Sequence, residues 1–131
     1  MKSQKIRSNF IKICDRLIFK ILVLERGLVC EICGGRAGIG TFHIMSKKKC
    51  PRLRYHKRNL LLAGWFCCHS PWHHDFDAKE RIDAKIKQLR GEDYREEFIK
   101  MDIASEKLSV GRLGLMKEIL QIELKSLEDN N

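Results

Sequence analysis

Cys30-Glu-Ile-Cys33-Gly-Gly sets two thiols three positions apart, ahead of a glycine pair. Two thiolates at this spacing, with glycines behind them that let backbone amides turn toward the sulfurs, make half of a tetrahedral zinc site. A second pair is needed, and Cys67-Cys68-His69 supplies candidates 34 positions after Cys33. A strict second half would separate its cysteines by two residues, but position 65 is Trp65. Adjacent Cys67 and Cys68 can both reach one ion only with a local backbone kink. We favour Cys30, Cys33, Cys67 and Cys68 as the ligands of a structural Zn²⁺, with His69 the alternative to Cys68. The plainer reading makes Cys67 and Cys68 small buried apolar residues at a strand end. Cys14 reads as core, and Cys50, between Lys49 and Pro51, is a lesser ligand candidate. A structural zinc contributes on the order of 10 kcal/mol to folding in small modules. The glycine-rich stretch 30–76, poor in large apolar residues, would gain most from it.

All five histidines fall between Cys30 and Asp75. His43 lies in a predicted strand over 41–45, and Asn59 opens a second over 60–66. His69 and His73 are four apart at the start of the next helix, so their rings share one face. Two imidazoles so placed can hold one divalent cation: Zn²⁺, Mn²⁺, Ni²⁺, or Mg²⁺ in a wetter site. A neutral imidazole can also take a proton from an attacking water near neutral pH. Taken singly, a histidine is more often a surface or core residue than a ligand. His56, among Tyr55, Lys57 and Arg58, suits a phosphate contact better than a metal. Trp65 and Trp72 read as walls of a small core around the site, with stacking on a base an alternative that no aromatic series supports.

The charge points the same way. The chain has 26 Lys and Arg against 17 Asp and Glu, a net of +9. Residues 1–62 carry 15 basic and 3 acidic side chains, whereas residues 63–131 carry 11 and 14. The first half therefore presents a field that attracts phosphate. Its densest part is 46–58, with Lys47, Lys48, Lys49, Arg52, Arg54, Lys57 and Arg58 and no acid. These seven are the candidate nucleic-acid contacts; the bland alternative is surface lysines kept for solubility.

Positioning these groups requires elements on both sides. Ile6, Phe10, Ile13, Cys14, Leu17, Ile18, Ile21 and Leu24 recur at three- and four-residue steps, predicting an amphipathic helix over 3–26. Ile82, Ile86 and Leu89 predict a helix that Gly91 ends. A second is expected from about 92 to 108, with Tyr94, Phe98, Met101 and Ile103 inward. Gly111 and Gly114 interrupt before a third, marked by Leu113, Met116, Leu120, Leu124 and Leu127. We expect one domain over 1–131: a basic helix (1–28), a metal-binding core (29–76) and a helical extension (77–131). With 44% hydrophobic and 33% charged residues, the composition is that of a globular protein. The most apolar run is broken by Lys20, which predicts no membrane span and no export signal. Six cysteines in such a chain read as thiols or ligands, and the expected location is cytoplasmic.

The order Cys-x-x-Cys-Gly, His-Ile, Leu-Arg-Tyr-His-Lys-Arg-Asn and Cys-His-x-x-Trp-His, over about residues 28–76, resembles the HNH endonuclease family. It is most similar to the compact versions found among phage recombination and homing nucleases. The resemblance implies a ββα-metal fold, two strands and a helix around one catalytic divalent ion, buttressed by zinc. The expected class is therefore α+β, mostly helical, with this small core between an N-terminal helix and C-terminal helices. It implies His43 as general base, Asn59 as the middle asparagine that holds the loop aiming His43, and His69 and His73 as ligands of the catalytic metal. It also implies DNA, duplex or branched, as substrate. An exposed stripe on either terminal helix could serve a homodimer.

One position departs from the family pattern. Members usually place Asp or His just before the general base as a further ligand, and here that residue is Phe42. Either His69 and His73 hold the ion with help from His74 or Asp75, or catalysis is weakened or lost. The alternative function is a catalytically inactive, zinc-stabilised nucleic-acid-binding module. A protein that docks partners on its acidic C-terminal helices has no signal beyond its amphipathic stripes.

Overall fold

The computed structural model describes residues 2–102 and 107–130. In chain order the elements are α1 (Lys2–Arg26), β1 (Ile39–His43), β2 (Leu60–Gly64), α2 (Ser70–His74), α3 (Phe76–Arg90), α4 (Tyr94–Met101) and α5 (Val110–Asp129). Single 3-10 turns lie at Pro51–Leu53 and Lys57–Asn59, and a π-helical turn at Trp65–His69. The architecture is mostly helical with a two-stranded antiparallel sheet, an α+β arrangement. The chain divides into two compact units, Met1–Gly27 with Glu106–Asn131, and Leu28–Ser105.

The first unit pairs α1 with α5. Cys14, Ile18, Ile21 and Leu22 are buried, spaced as one helical stripe, and Leu113, Leu120 and Leu124 are the buried set of α5. The predicted stripe overreaches at both ends, since Ile6 and Leu24 are exposed. The expected break at Gly111 and Gly114 is absent; both lie inside α5. Ser109 caps that helix by accepting from the Arg112 N–H at 3.1 Å, supplying the start signal ahead of the glycines. A Cβ at Gly114 would come within 3.4 Å of the Phe10 ring, so the glycine is where that ring packs. Among the described residues, no helix is long and apolar enough to cross a membrane.

In the second unit β1 and β2 pair with Thr41 opposite Leu62 and His43 opposite Leu60. Every residue of β2 is buried, as the unbroken Leu-Leu-Leu-Ala-Gly run requires. The strand β1 begins and ends two residues earlier than predicted, because Met45 gives both its backbone groups to the Asn59 side chain. The strand β2 stops at Gly64, where the π-helical turn begins, rather than at Phe66. Asp75 starts α3 by accepting from the Asp77 and Ala78 amides. Ala78, Ile82 and Ile86 then join Phe42, Leu61, Ala63, Tyr94 and Phe98 in the core. Leu89 and Met101, expected inward, are exposed at the last turns of α3 and α4. The helix α4 stops at Met101, short of the predicted 108, and Ile103 lies outside the described residues.

Candidate functional site

The sulfurs of Cys30, Cys33, Cys67 and Cys68 all lie within 4.8 Å of one another. Tetrahedral zinc with Zn–S bonds of about 2.3 Å sets its sulfurs roughly 3.8 Å apart, so the four are gathered at coordinating reach. Among the described residues they are the one group of three or more metal-ligating side chains; Cys14 and Cys50 stand outside it.

Local backbone explains the convergence. The Cys30 N–H donates to the Gly35 carbonyl at 2.7 Å and the Gly34 N–H to the Cys30 carbonyl at 2.8 Å. This closes a knuckle in which Gly34 holds φ +82°, a conformation that favours glycine. The Gly35 N–H points to the Cys33 sulfur at 3.4 Å. Neighbouring side chains on an α-helix diverge by about 100°. The wider π-helical turn at Trp65–His69 reduces that angle and is the kink that adjacent Cys67 and Cys68 require. Gly64 is the tightest position: a Cβ there would stand 2.5 Å from the Cys67 sulfur and 3.0 Å from the Ala37 carbonyl oxygen. Glu31 ties the knuckle to β2, its N–H donating to the Leu62 carbonyl at 2.8 Å and its carboxylate accepting from the Leu62 N–H at 2.6 Å.

The thiols are electrostatically uneven. Burial opposes the Cys30 thiolate, but backbone hydrogen bonds from Gly64, Cys33 and Ile32 outweigh it and bring its pKa to about 7. Burial, with the neighbouring Cys33 thiol adding, pushes both Cys67 and Cys68 up. Four sulfurs this close cannot all ionise without a cation among them, and a soft dication reverses that penalty. The donor set therefore fits a structural metal such as zinc.

His69 closes the same turn, and His73 and His74 follow it in α2. His69 is half-buried, its ring 5.1 Å from Phe42 in edge contact and 5.2 Å from His73 in a stacked arrangement. Burial, with His73 and Lys47 adding, holds the His69 imidazole below its ordinary value, so it is neutral and able to ligate near pH 7. His73 is also braced by Trp72 at 4.9 Å, whose indole N–H donates to Asp83 at 2.8 Å. Asp75, weighed above as a further ligand, spends Oδ1 on capping α3. Phe42 is 1% exposed and belongs to the core.

His43 stands at the end of β1 with Nε2 3.1 Å from the Arg54 carbonyl. A carbonyl only accepts, so Nε2 carries the proton and Nδ1 is the basic nitrogen of the neutral ring. Asn59 is 1% exposed. Its Oδ1 accepts from the Met45 N–H at 2.7 Å, and its Nδ2 donates to the Met45 and Leu53 carbonyls at 3.1 and 3.2 Å. One side chain thus joins the exit of β1 to the loop whose Arg54 carbonyl meets His43.

The basic loop is not uniform. Lys47, Lys48 and Lys49 are exposed, whereas Arg52, Arg54 and Lys57 are half-buried. Arg58 pairs with Glu97 at 2.9 Å. His56 accepts from the Arg58 N–H and caps the second 3-10 turn, and burial, then the Arg58 charge, lowers its pKa. Sequence reasoning missed Arg90, whose guanidinium donates to the Arg58 and Leu60 carbonyls at 2.7 and 3.0 Å, on either side of Asn59. Nothing in its place near the end of a helix marks that role. No family model, curated protein or solved structure matches the chain at a significant level.

Proposed function

We propose that this chain is a metal-dependent endonuclease of the HNH type, hydrolysing DNA phosphodiester bonds from a zinc-stabilised ββα-metal core. The observation that carries the reading is the buried Asn59, which fastens both ends of the segment between β1 and the Arg54 carbonyl that orients His43. Nδ1 of His43 takes the proton of the attacking water, and the held Nε2–H steadies the imidazolium that results. His69 and His73 would hold a divalent ion, which supplies charge stabilisation at the phosphate and the leaving oxygen. Lys47, Lys48 and Lys49 grip the backbone without reading sequence. The four cysteines would hold zinc and so fix the turn that carries His69.

A second reading, a zinc-stabilised nucleic-acid-binding module without catalysis, is favoured by one observation. Phe42 fills the core where the family places a ligand, and Asp75 Oδ1 is engaged as a helix cap, so the ion is left to the imidazoles of His69, His73 and His74. Comparing binding with cutting separates the two. On the nuclease reading His43→Ala keeps its gel shift with DNA and loses cleavage; equal cleavage by His43→Ala and wild type would sink the assignment of the base.

A further inference from the structure

Two aromatic side chains at the start of the turn that ends in His69 are exposed. Phe66 is 82% exposed and Trp65 is 47% exposed. They are held out rather than loose. The Trp65 N–H donates to the Gly38 carbonyl at 3.0 Å, and the following residues Cys67 and Cys68 anchor the turn at the thiol cluster. A Cβ at Gly38 would lie 3.7 Å from the Trp65 nitrogen and 4.0 Å from the edge of the Phe66 ring, so this ring sits beside bare backbone with no side chain covering it. The Trp65 ring is 4.9 Å from the His69 imidazole, and Trp65 and Phe66 both border Gly38.

We propose that Trp65 and Phe66 form a stacking platform for unpaired bases next to the phosphate held at the histidines, which makes single-stranded or branched DNA the preferred substrate. The proposal rests on the nucleic-acid reading above and deepens it. The exposed lysines of the loop favour an occupant with a negative backbone. Flat, exposed rings match the π-faces of bases, and rings with basic side chains in one protein are the combination used to bind single strands. In an intact duplex those faces are hidden in the stack, so the platform discriminates against it.

The test uses the full chain without added divalent ion and measures the affinity for a labelled 12-nucleotide single strand and for a duplex of the same sequence. Stacking is worth about 1–3 kcal/mol per base, so Phe66→Ala should weaken single-strand binding about tenfold or more. Duplex binding should stay within about twofold, and Phe66→Tyr should retain wild-type affinity. Zinc content and circular dichroism should not change, because Phe66 is almost fully exposed. Unchanged single-strand affinity in Phe66→Ala overturns the platform while leaving the nucleic-acid reading intact, as does an equal loss for both DNAs. Failure of the wild type to bind either DNA overturns that reading and the platform with it. A Phe66→Ala chain that binds DNA normally but no longer self-associates in sedimentation assigns the rings to a second copy instead.

Discussion

Replacing Asn59 with alanine isolates the claim that one side chain organises the loop. The substitution strips three backbone groups of their partner: the Met45 N–H, the Met45 carbonyl and the Leu53 carbonyl. A buried polar group left unsatisfied costs about 1–3 kcal/mol. The three share one pocket and relax together, so the costs do not add fully, and we expect a loss of about 3–5 kcal/mol. Asn59→Asp is the sharper control. It keeps an acceptor for the Met45 N–H but turns a second carboxylate oxygen toward two carbonyls, in a site with 1% exposure. The loss for Asn59→Asp should therefore be at least as large. The assay is urea unfolding of the zinc-loaded chain, followed by the fluorescence of Trp65 and Trp72, both in the unit that contains Asn59. A loss below about 1 kcal/mol for Asn59→Ala, or an aspartate variant as stable as wild type, would refute the reasoning. Cleavage should fall further than DNA affinity in variants that still fold, because Asn59 acts through His43.

The remaining predictions concern the metal and the outer support of the site. The chain should bind one Zn²⁺ by native mass spectrometry; serine at position 30, 33, 67 or 68 should abolish this, and serine at Cys14 or Cys50 should not. Gly64→Ala should weaken Co²⁺ binding, read from the thiolate charge-transfer band, by roughly tenfold or more, since its Cβ would overlap the Cys67 sulfur; normal affinity would show that the turn yields easily. Arg90→Ala should cost about 1–2 kcal/mol in urea unfolding, discounted for a half-exposed guanidinium, and lower cleavage by loosening the backbone on either side of Asn59. Arg90→Lys should recover only part of both, because one ammonium nitrogen replaces the two fork nitrogens that reach the paired carbonyls.

The chemistry-bearing residues were more legible in the sequence than the backbone that aims them. Cys-x-x-Cys spacing singled out Cys30 and Cys33, and the order of the later cysteines singled out Cys67 and Cys68, because thiol spacing constrains where sulfurs can point. The π-helical turn that lets adjacent cysteines converge has no compositional mark, so its need was visible but not its form. The strand limits were misplaced for a related reason. Met45 looks like a strand residue by type, yet the Asn59 amide draws its backbone away, and that interaction spans 14 residues. The glycines of α5 read as breakers because local propensity knows nothing of the Phe10 ring packed on Gly114. Arg90 and Glu31 support the site through backbone contacts, and such contacts leave no signature in residue type.

The most direct test of the account is nicking of supercoiled plasmid at low salt by the wild-type chain, with Mg²⁺, Mn²⁺ or Ni²⁺ and then with EDTA. The account predicts nicking that needs the added ion and stops on chelation. A plasmid that is shifted on a gel but never cut under any of these ions would contradict it, and would make the buried Phe42 the reason this core binds without cutting.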